Sequence, residues 1–411
     1  MRFPDEGRRT QPLTRPIRYI DGPPKSAETI VIGGGVVGAA TAFHAARAGF
    51  EVTLLEKRPA LCTLTTPAST GAFRLQFDNL EELTLVRESV ELFLNFEEAT
   101  EQTDYSLDIK QQGYLWITTD EERASRAREL VDLQHSWGQT DIELIEPDEI
   151  RERWPYVTEE AVLARFRAGD GFLDPKSLTM GLAASSRANV VTSCGVTGFI
   201  VEGDRLRGVR TTTGDISCER AVIAAGPFSG VVAKMAGIDL PVVTVPRQKL
   251  VMPEVPMVPV DAPMTIDDDT GAHWRPALSG AYLLFTDPRT EPTEPAEDVP
   301  SDHRAIFQLL DPDSPFSVAR IAPFWRDIWS RNSVNWMLQT GQYTITPDHR
   351  PLLGPTPIEG LFVNSGYSGH GIMGSAAGSR HLVDVMSGAM TGTDNPFALD
   401  RIFAVRSLDV L

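Results

Sequence analysis

The stretch VIGGGVVGAA, Val31–Ala40, places four glycines in ten residues. Glycine packs nothing and loses more backbone freedom on folding than other residues, so this density needs a reason. The flanks supply one. Glu28–Ile32 leads an apolar run into the glycines and reads as a buried parallel strand. Val36–Ala48 is rich in alanine, contains no proline and reads as a helix that Gly49 ends. EVTLLEK (51–57) reads as a second strand, closing one βαβ unit of about thirty residues.

Within Gly33-x-Gly35-x-x-Gly38 each glycine has its own task. Gly33 permits the tight turn, Gly35 lets the backbone approach a pyrophosphate, and Gly38 lets helix and strand pack closely. The N–H groups of Gly35, Val36 and Val37 then face the phosphates at the positive end of the helix. Glu56 ends the second strand eighteen residues beyond Gly38, where a carboxylate would accept hydrogen bonds from a ribose diol and repel a 2′-phosphate. The competing explanation is a glycine turn demanded by packing alone. The pattern points to a dinucleotide and leaves NAD and FAD open.

The whole chain has 411 residues, which predicts two domains, and 42% of them are hydrophobic, enough for sizeable cores. A formal net charge of −18, spread along the chain, argues against nucleic acid and anionic lipid as partners. Three cysteines, Cys62, Cys194 and Cys218, offer neither an even set nor a CxxC pair, so no disulfide framework and no metal site is expected, in keeping with a reducing cytoplasm. No run of eighteen apolar residues is present, so no membrane span is expected. Residues 1–27 are polar, rich in proline and without the apolar centre of a signal peptide; they read as an extended arm or as disordered.

Apolar residues at helical spacing (Leu83, Val86, Val90, Leu94) predict a helix over 80–98. Further helices are expected over 121–137 and 148–154, and a strand over 113–120. Residues 189–226 hold four short β-type runs, read as a meander followed by a buried strand. VTVPRQKLVMPE (243–254) and AYLLFTDP (281–288) read as strands of a second sheet, and 287–304 as a solvated, acidic, proline-rich loop. Near the end, SGYSGHGIMGSAAG (365–378) forms a second glycine turn between strand and helix. Its N–H groups would aim a second helix dipole at an electron-rich target, which suits a flavin that gains negative charge on reduction. That favours FAD.

With these pieces placed, the sequence resembles the FAD-dependent amino-acid oxidoreductases of the D-amino-acid oxidase superfamily, among them sarcosine oxidase, glycine oxidase and the proline dehydrogenase β subunit. Four places carry the resemblance: the first glycine unit, STGAFRLQF (69–77), VIAAGPFSG (222–230), and the pair GQYTITPDHRPLLGP (341–355) with GYSGHGIMGSAAG (366–378). It implies an α/β architecture, a Rossmann-type, glutathione-reductase-like FAD-binding domain interleaved with a mixed-sheet α+β substrate domain. The FAD domain would hold 28–95, 155–240 and 335–411, and the substrate domain 96–154 and 241–334. The implied reaction moves a hydride from a carbon beside an amine nitrogen to flavin N5; the imine then hydrolyses, and oxidases pass the electrons to O₂ and release H₂O₂.

The resemblance also implies roles. Ser69 and Thr70 would lie against the pyrophosphate, with Lys57, Val196, Gly226, Gly371, Ile372 and Met373 around the cofactor. Arg74 would sit over the flavin ring, against the alternative of a surface arginine. Tyr343 would contact the substrate carboxylate, or else be a half-buried core tyrosine. Arg275 would anchor that carboxylate, or pair with the aspartates at 267–269, the reading favoured here. His370 would lie beside the isoalloxazine or simply fix its turn. His44, Cys194 and Cys218 read as structural.

Several family positions differ. Sarcosine oxidases grip the carboxylate with a lysine where this chain has Met373 and with an arginine that aligns with Phe77. Their oxygen-activating lysine aligns near Leu284, and their flavin-linking cysteine with Gly341, so non-covalent FAD is expected. The reading is an amine oxidoreductase acting on a small secondary or N-methyl amino acid such as sarcosine. Its rivals are an L-proline or D-amino-acid dehydrogenase using another acceptor, and a non-catalytic FAD-binding subunit.

Overall fold

Strand Ser26–Ile32 runs straight into the first glycine turn, and helix Val36–Arg47 leaves it, in a computed structural model that describes residues 13–331, 334–391 and 394–404. Val31 and Ile30 are fully buried on opposite faces, as an apolar run flanked by helices requires. Five strands lie parallel in the order Asn189–Val191, Val52–Leu55, Ser26–Ile32, Gly214–Ile223, Leu361–Ser365. The chain moves outward from Ser26–Ile32 first to one side and later to the other. Such a reversal opens a crevice at the carboxyl ends of the central strands.

Four shorter or antiparallel strands complete this nine-stranded sheet. Val196–Glu202 and Arg205–Thr211 form the expected meander with the first residues of Gly214–Ile223. The fourth run of that meander and the buried strand AVIAAG are one continuous strand, because Gly214–Ile223 changes partner from Arg205–Thr211 to Leu361–Ser365 along its length. Leu352–Pro355 pairs with Leu361–Ser365. Arg18–Tyr19 pairs with Asn189–Val190 at the other edge, and Ile17 is buried, so the second half of the N-terminal arm is part of the sheet; residues 1–12 lie outside the described residues.

The eight-stranded sheet runs Met337–Ile345, Val243–Met252, Gly280–Leu284, His273–Ala277, Met264–Asp267, Tyr114–Thr118, Leu163–Arg167, Glu143–Ile145. It is antiparallel except between Met264–Asp267 and Tyr114–Thr118, hence mixed. Leu163–Arg167 and Met337–Ile345 come from stretches expected in the cofactor domain, yet they pair here. One face buries Trp274 against Trp325 and the helices Arg304–Leu310 and Phe324–Ser330. Side chains alternate along a strand, so Arg247, Lys249, Tyr282 and Arg275 share the opposite face, which looks toward the dinucleotide sheet.

Helices Val36–Arg47, Leu80–Leu94, Pro175–Ser186 and Gly371–Ser387 cover one face of the nine-stranded sheet as one core. Leu83, Val86 and Val90 are buried there, while Leu94 is 46% exposed. The helix expected over 80–98 breaks after Leu94 and resumes as Phe96–Thr100.

Candidate active site

The first glycine turn is held by backbone contacts on two sides and open on the third. Gly33 has φ of +120°, and a Cβ there would stand 2.4 Å from the Ala224 carbonyl oxygen. A Cβ on Gly38 would stand 1.8 Å from the Gly33 carbonyl oxygen. On Gly35 it would meet only Thr66 Oγ1, at 3.3 Å. Helix Val36–Arg47 has no capping side chain and no acid in its first turn, and Val36 N–H donates to Thr66 Oγ1 over 3.2 Å. Such a terminus attracts an anion.

Glu56 sits where a ribose would lie. Its two oxygens accept N–H groups of Gly34 and Arg58, each at 2.7 Å, and each oxygen keeps a lone pair for a sugar hydroxyl. Burial pushes its pKa up, while those N–H groups and Lys57 pull the other way. Lys57 lies over the Phe228 ring and pairs with Glu297. The loop at 287–304 is therefore docked: the Gln342 side chain also accepts from Ala296 N–H and donates to Thr293 and Glu294.

The second glycine turn delivers helix Gly371–Ser387, likewise without a side-chain cap or an acid in its first turn. Val36, Val37, Gly371 and Ile372 all line one cavity of about 400 Å³, so both helix N-termini open onto the same space. A buried polar knot keeps these helices in step. Asn364 donates to Thr41 Oγ1 (2.9 Å) and Ser379 Oγ (3.0 Å) and accepts from the Tyr367 hydroxyl (2.6 Å).

Between the two turns runs a loop, Thr63–Gly71, tied to the facing sheet. Lys249 Nζ donates to the carbonyls of Pro67 (3.1 Å) and Ser69 (2.8 Å), and Arg275 Nε to that of Thr70 (2.8 Å). Thr65 Oγ1 donates to the Gln342 carbonyl. Burial, with Arg275 and Lys176 nearby, lowers the Lys249 pKa to about 7. Burial likewise lowers that of Arg275 to about 10.

Of the residues singled out from sequence, Gly33, Gly35, Val36, Val37, Glu56, Lys57, Ser69, Val196, Gly226, Tyr343, Gly371 and Ile372 line the cavity. Gly38, Thr70 and Met373 sit behind its wall: Gly38 against Gly33, Thr70 under Arg275, Met373 in the helical core. Arg74 is 4% exposed, which removes the surface alternative. His370 is buried beside it, its Nε2 lying 3.3 Å from Arg74 Nη2 and its Nδ1 3.0 Å from Glu82 Oε1. Burial opposes the Glu82 charge, but His370, Asn79 and Arg350 hold its pKa below the ordinary glutamate range. The favoured pairing of Arg275 with 267–269 is absent: Arg320 takes Asp267 and Asp269, because Arg275 points to the other face of its strand, between Phe172 and Tyr282.

Sequence reasoning passed over Glu82, Thr66, Arg247 and Lys249. Arg247 lines the cavity near the Tyr343 ring. The alternation in VTVPRQKLVM was the available signal for both cations. Among the described residues no cluster could hold a metal ion, and no helix is long and apolar enough to cross a membrane.

Known proteins are similar to this chain in sequence and fold. Human mitochondrial dimethylglycine dehydrogenase is 28% identical over 397 residues, covering 92% of this chain and 44% of that protein. The chain thus spans less than half the length of such relatives. The sarcosine oxidase subunit beta of an Arthrobacter species is 24% identical, with 92% of each chain covered. The crystal structure of L-proline dehydrogenase from P. horikoshii superposes with a TM-score of 0.78 at 24% identity, covering 90% of this chain and 95% of that one. The family model for FAD dependent oxidoreductases matches residues 28–385. The chain belongs to the DAO family of FAD-dependent oxidoreductases.

Proposed function

We propose that this protein binds FAD non-covalently and oxidises the C–N bond of a small secondary or N-methyl amino acid, of which sarcosine is the simplest. The observation that carries this reading is the meeting of two helix N-termini, neither with an acid in its first turn, on one cavity also lined by Arg247 and Tyr343. The cradle fits FAD: Gly35 leaves room for a pyrophosphate, and Glu56 suits a ribose diol. Gly341 lines the cavity where covalent relatives carry cysteine, which supports a dissociable cofactor.

Bound FAD supplies an acceptor for the hydride leaving the carbon beside the amine. The chain's own residues do the rest. Helix Gly371–Ser387 would present its positive end to a cofactor held in this cavity. Tyr343 and Arg247 hold the substrate carboxylate so that the reacting C–H has one orientation. His370, fixed by Glu82, orients Arg74.

A second reading, a dehydrogenase that passes electrons to an acceptor other than O₂, is favoured by Leu284, an apolar residue on the cavity wall near the place where sarcosine oxidases carry lysine. Anaerobic mixing of the yellow holoprotein with sarcosine, glycine, L-proline, N-methyl amino acids and D-alanine tests both. Bleaching of the flavin band identifies the substrate, and reoxidation with peroxide on admitting air identifies an oxidase. A flavin left oxidised by every amine removes the proposal, and acid precipitation that keeps the yellow colour in the pellet removes the non-covalent part.

A further inference from the structure

The site-facing surface of the eight-stranded sheet holds more positive charge than one carboxylate requires. Strand pairing sets Lys249, Leu284, His273, Ile266, Trp116 and Arg165 in one row across it. Lys249 is accounted for by the carbonyls it holds. Arg165 is not. It is 4% exposed, and its Nε and Nη1 are buried with no hydrogen-bond partner.

Three of the nearby acids are committed elsewhere. Asp170 accepts from Arg167, Gln76 and Leu75 N–H, and Asp267 and Asp269 pair with Arg320. Asp268 acts on Arg165 only from beyond ion-pair distance and is shared with Arg123. Meanwhile Arg165 and Arg74 approach the same indole, their guanidinium carbons 4.9 Å and 5.5 Å from the Trp116 ring, and Arg74 opposes the Arg165 charge. His273, the remaining titratable group of the row, is kept neutral by burial and Arg74. Two guanidinium groups beside one buried indole destabilise each other unless an anion joins them, and a bidentate carboxylate is the natural one.

We propose that the substrate bears a second carboxylate, and that Arg165, with Arg74 beside it, receives this group against Trp116. The inference rests on the amine-oxidation reading and narrows it to an amino dicarboxylate. Tyr343 and Arg247 take the carboxylate next to the reacting carbon, and Arg165 takes the distal one. Arg165 then sets specificity.

The test uses holoprotein and non-oxidisable ligands, read by perturbation of the flavin absorption band. Acetate and propionate are compared with malonate, succinate and glutarate. The best dicarboxylate is expected to bind about 10- to 100-fold more tightly than the best monocarboxylate, the range of hydrogen bonds to a charged group. Arg165→Met brings that ratio close to one while acetate affinity changes little. Equal affinities in the unmodified protein overturn the proposal. So does an Arg165→Met protein that loses thermal stability and weakens both ligand classes alike, the behaviour of a residue that merely balances Asp268. Should Arg165→Met fail to fold, Arg165→Lys and the ratio in the unmodified protein decide. Anaerobic bleaching by N-methylaspartate, N-methylglutamate and sarcosine separates the two readings. Bleaching by sarcosine alone overturns the second carboxylate and keeps amine oxidation. Selective dicarboxylate binding without bleaching by any amine keeps the anion site and removes amine oxidation.

Discussion

Glu82 Oε1 lies 3.0 Å from His370 Nδ1, joining a carboxylate on one helix to the residue that precedes another helix 288 positions later. With Arg74 on the far side of the imidazole, the three form a buried chain.

The Glu82 pKa is shifted downward. Its charge therefore stabilises the fold in full above the ordinary glutamate value of about 4.3, and progressively less as pH falls through the lower folded value. Glu82→Gln keeps the shape and removes the charge. Melting temperature should drop at pH 7, and the deficit should shrink as pH falls below about 4 through the lowered folded value. Because His370 loses its orienting partner, flavin reduction should slow by about tenfold, a modest fraction of what misplacing a reacting group costs. Melts across pH 3–7 and stopped-flow reduction measure both; an unchanged rate would leave Glu82 a purely structural acid.

Gly35 and Gly38 should respond to side chains in different ways. A Cβ at Gly38 would collide with the Gly33 carbonyl at 1.8 Å, so Gly38→Ala should fail to fold or melt far lower. At Gly35 the only neighbour is Thr66 Oγ1 at 3.3 Å, so Gly35→Val should yield a folded, colourless protein that takes up no FAD. Circular dichroism and flavin titration distinguish the outcomes, and a yellow Gly35→Val protein would contradict the assignment of that turn.

The two glycine turns were legible because their signals are local: a strand, a turn that excludes side chains, and a helix occur within about twenty residues of each other. The mixed sheet was legible only as strands. In VTVPRQKLVM the alternation places Arg247 and Lys249 on an inward face, which apolar patterning would reject. What makes it acceptable is the set of carbonyls on Pro67 and Ser69, about 180 residues earlier in the chain. Glu82 reads as an ordinary acid in a first helical turn, three residues after the Asn79 cap. Its partner is invisible until the fold closes. The loop at 287–304 is solvated, as its acidic, proline-rich composition implies, with most of its residues exposed; its anchoring through backbone groups and the Gln342 amide is what composition gave no hint of.

Asn364 should be costly to replace. It is fully buried, and Asn364→Leu would leave the Tyr367 hydroxyl and Thr41 Oγ1 short of a partner. An unsatisfied buried group costs about 1–3 kcal/mol, which predicts a drop in melting temperature of several degrees. Since the knot sets one helix against the other, FAD should also dissociate faster. A variant as stable as the unmodified protein, with unchanged FAD release, would show that packing alone aligns the helices.

Lys249 gives the fold a pH dependence of the same sense as that of Glu82, in a higher pH range. Its folded pKa is lowered from 10.5 to about 7, so between those values the unfolded chain binds the proton and the folded chain does not. Stability should therefore rise as pH rises from 7 toward 10, by at most about 1.4 kcal/mol per pH unit, the slope for one proton. Lys249→Met should remove that rise. The neutral amine still carries two N–H donors, enough for the Pro67 and Ser69 carbonyls, so the unmodified protein should keep its grip on FAD at pH 9. The methionine variant offers no donor and should release FAD faster at every pH. If the pH dependence of unfolding is the same in both proteins, Lys249 is not the group that titrates, and its place between loop and sheet has no bearing on alkaline stability.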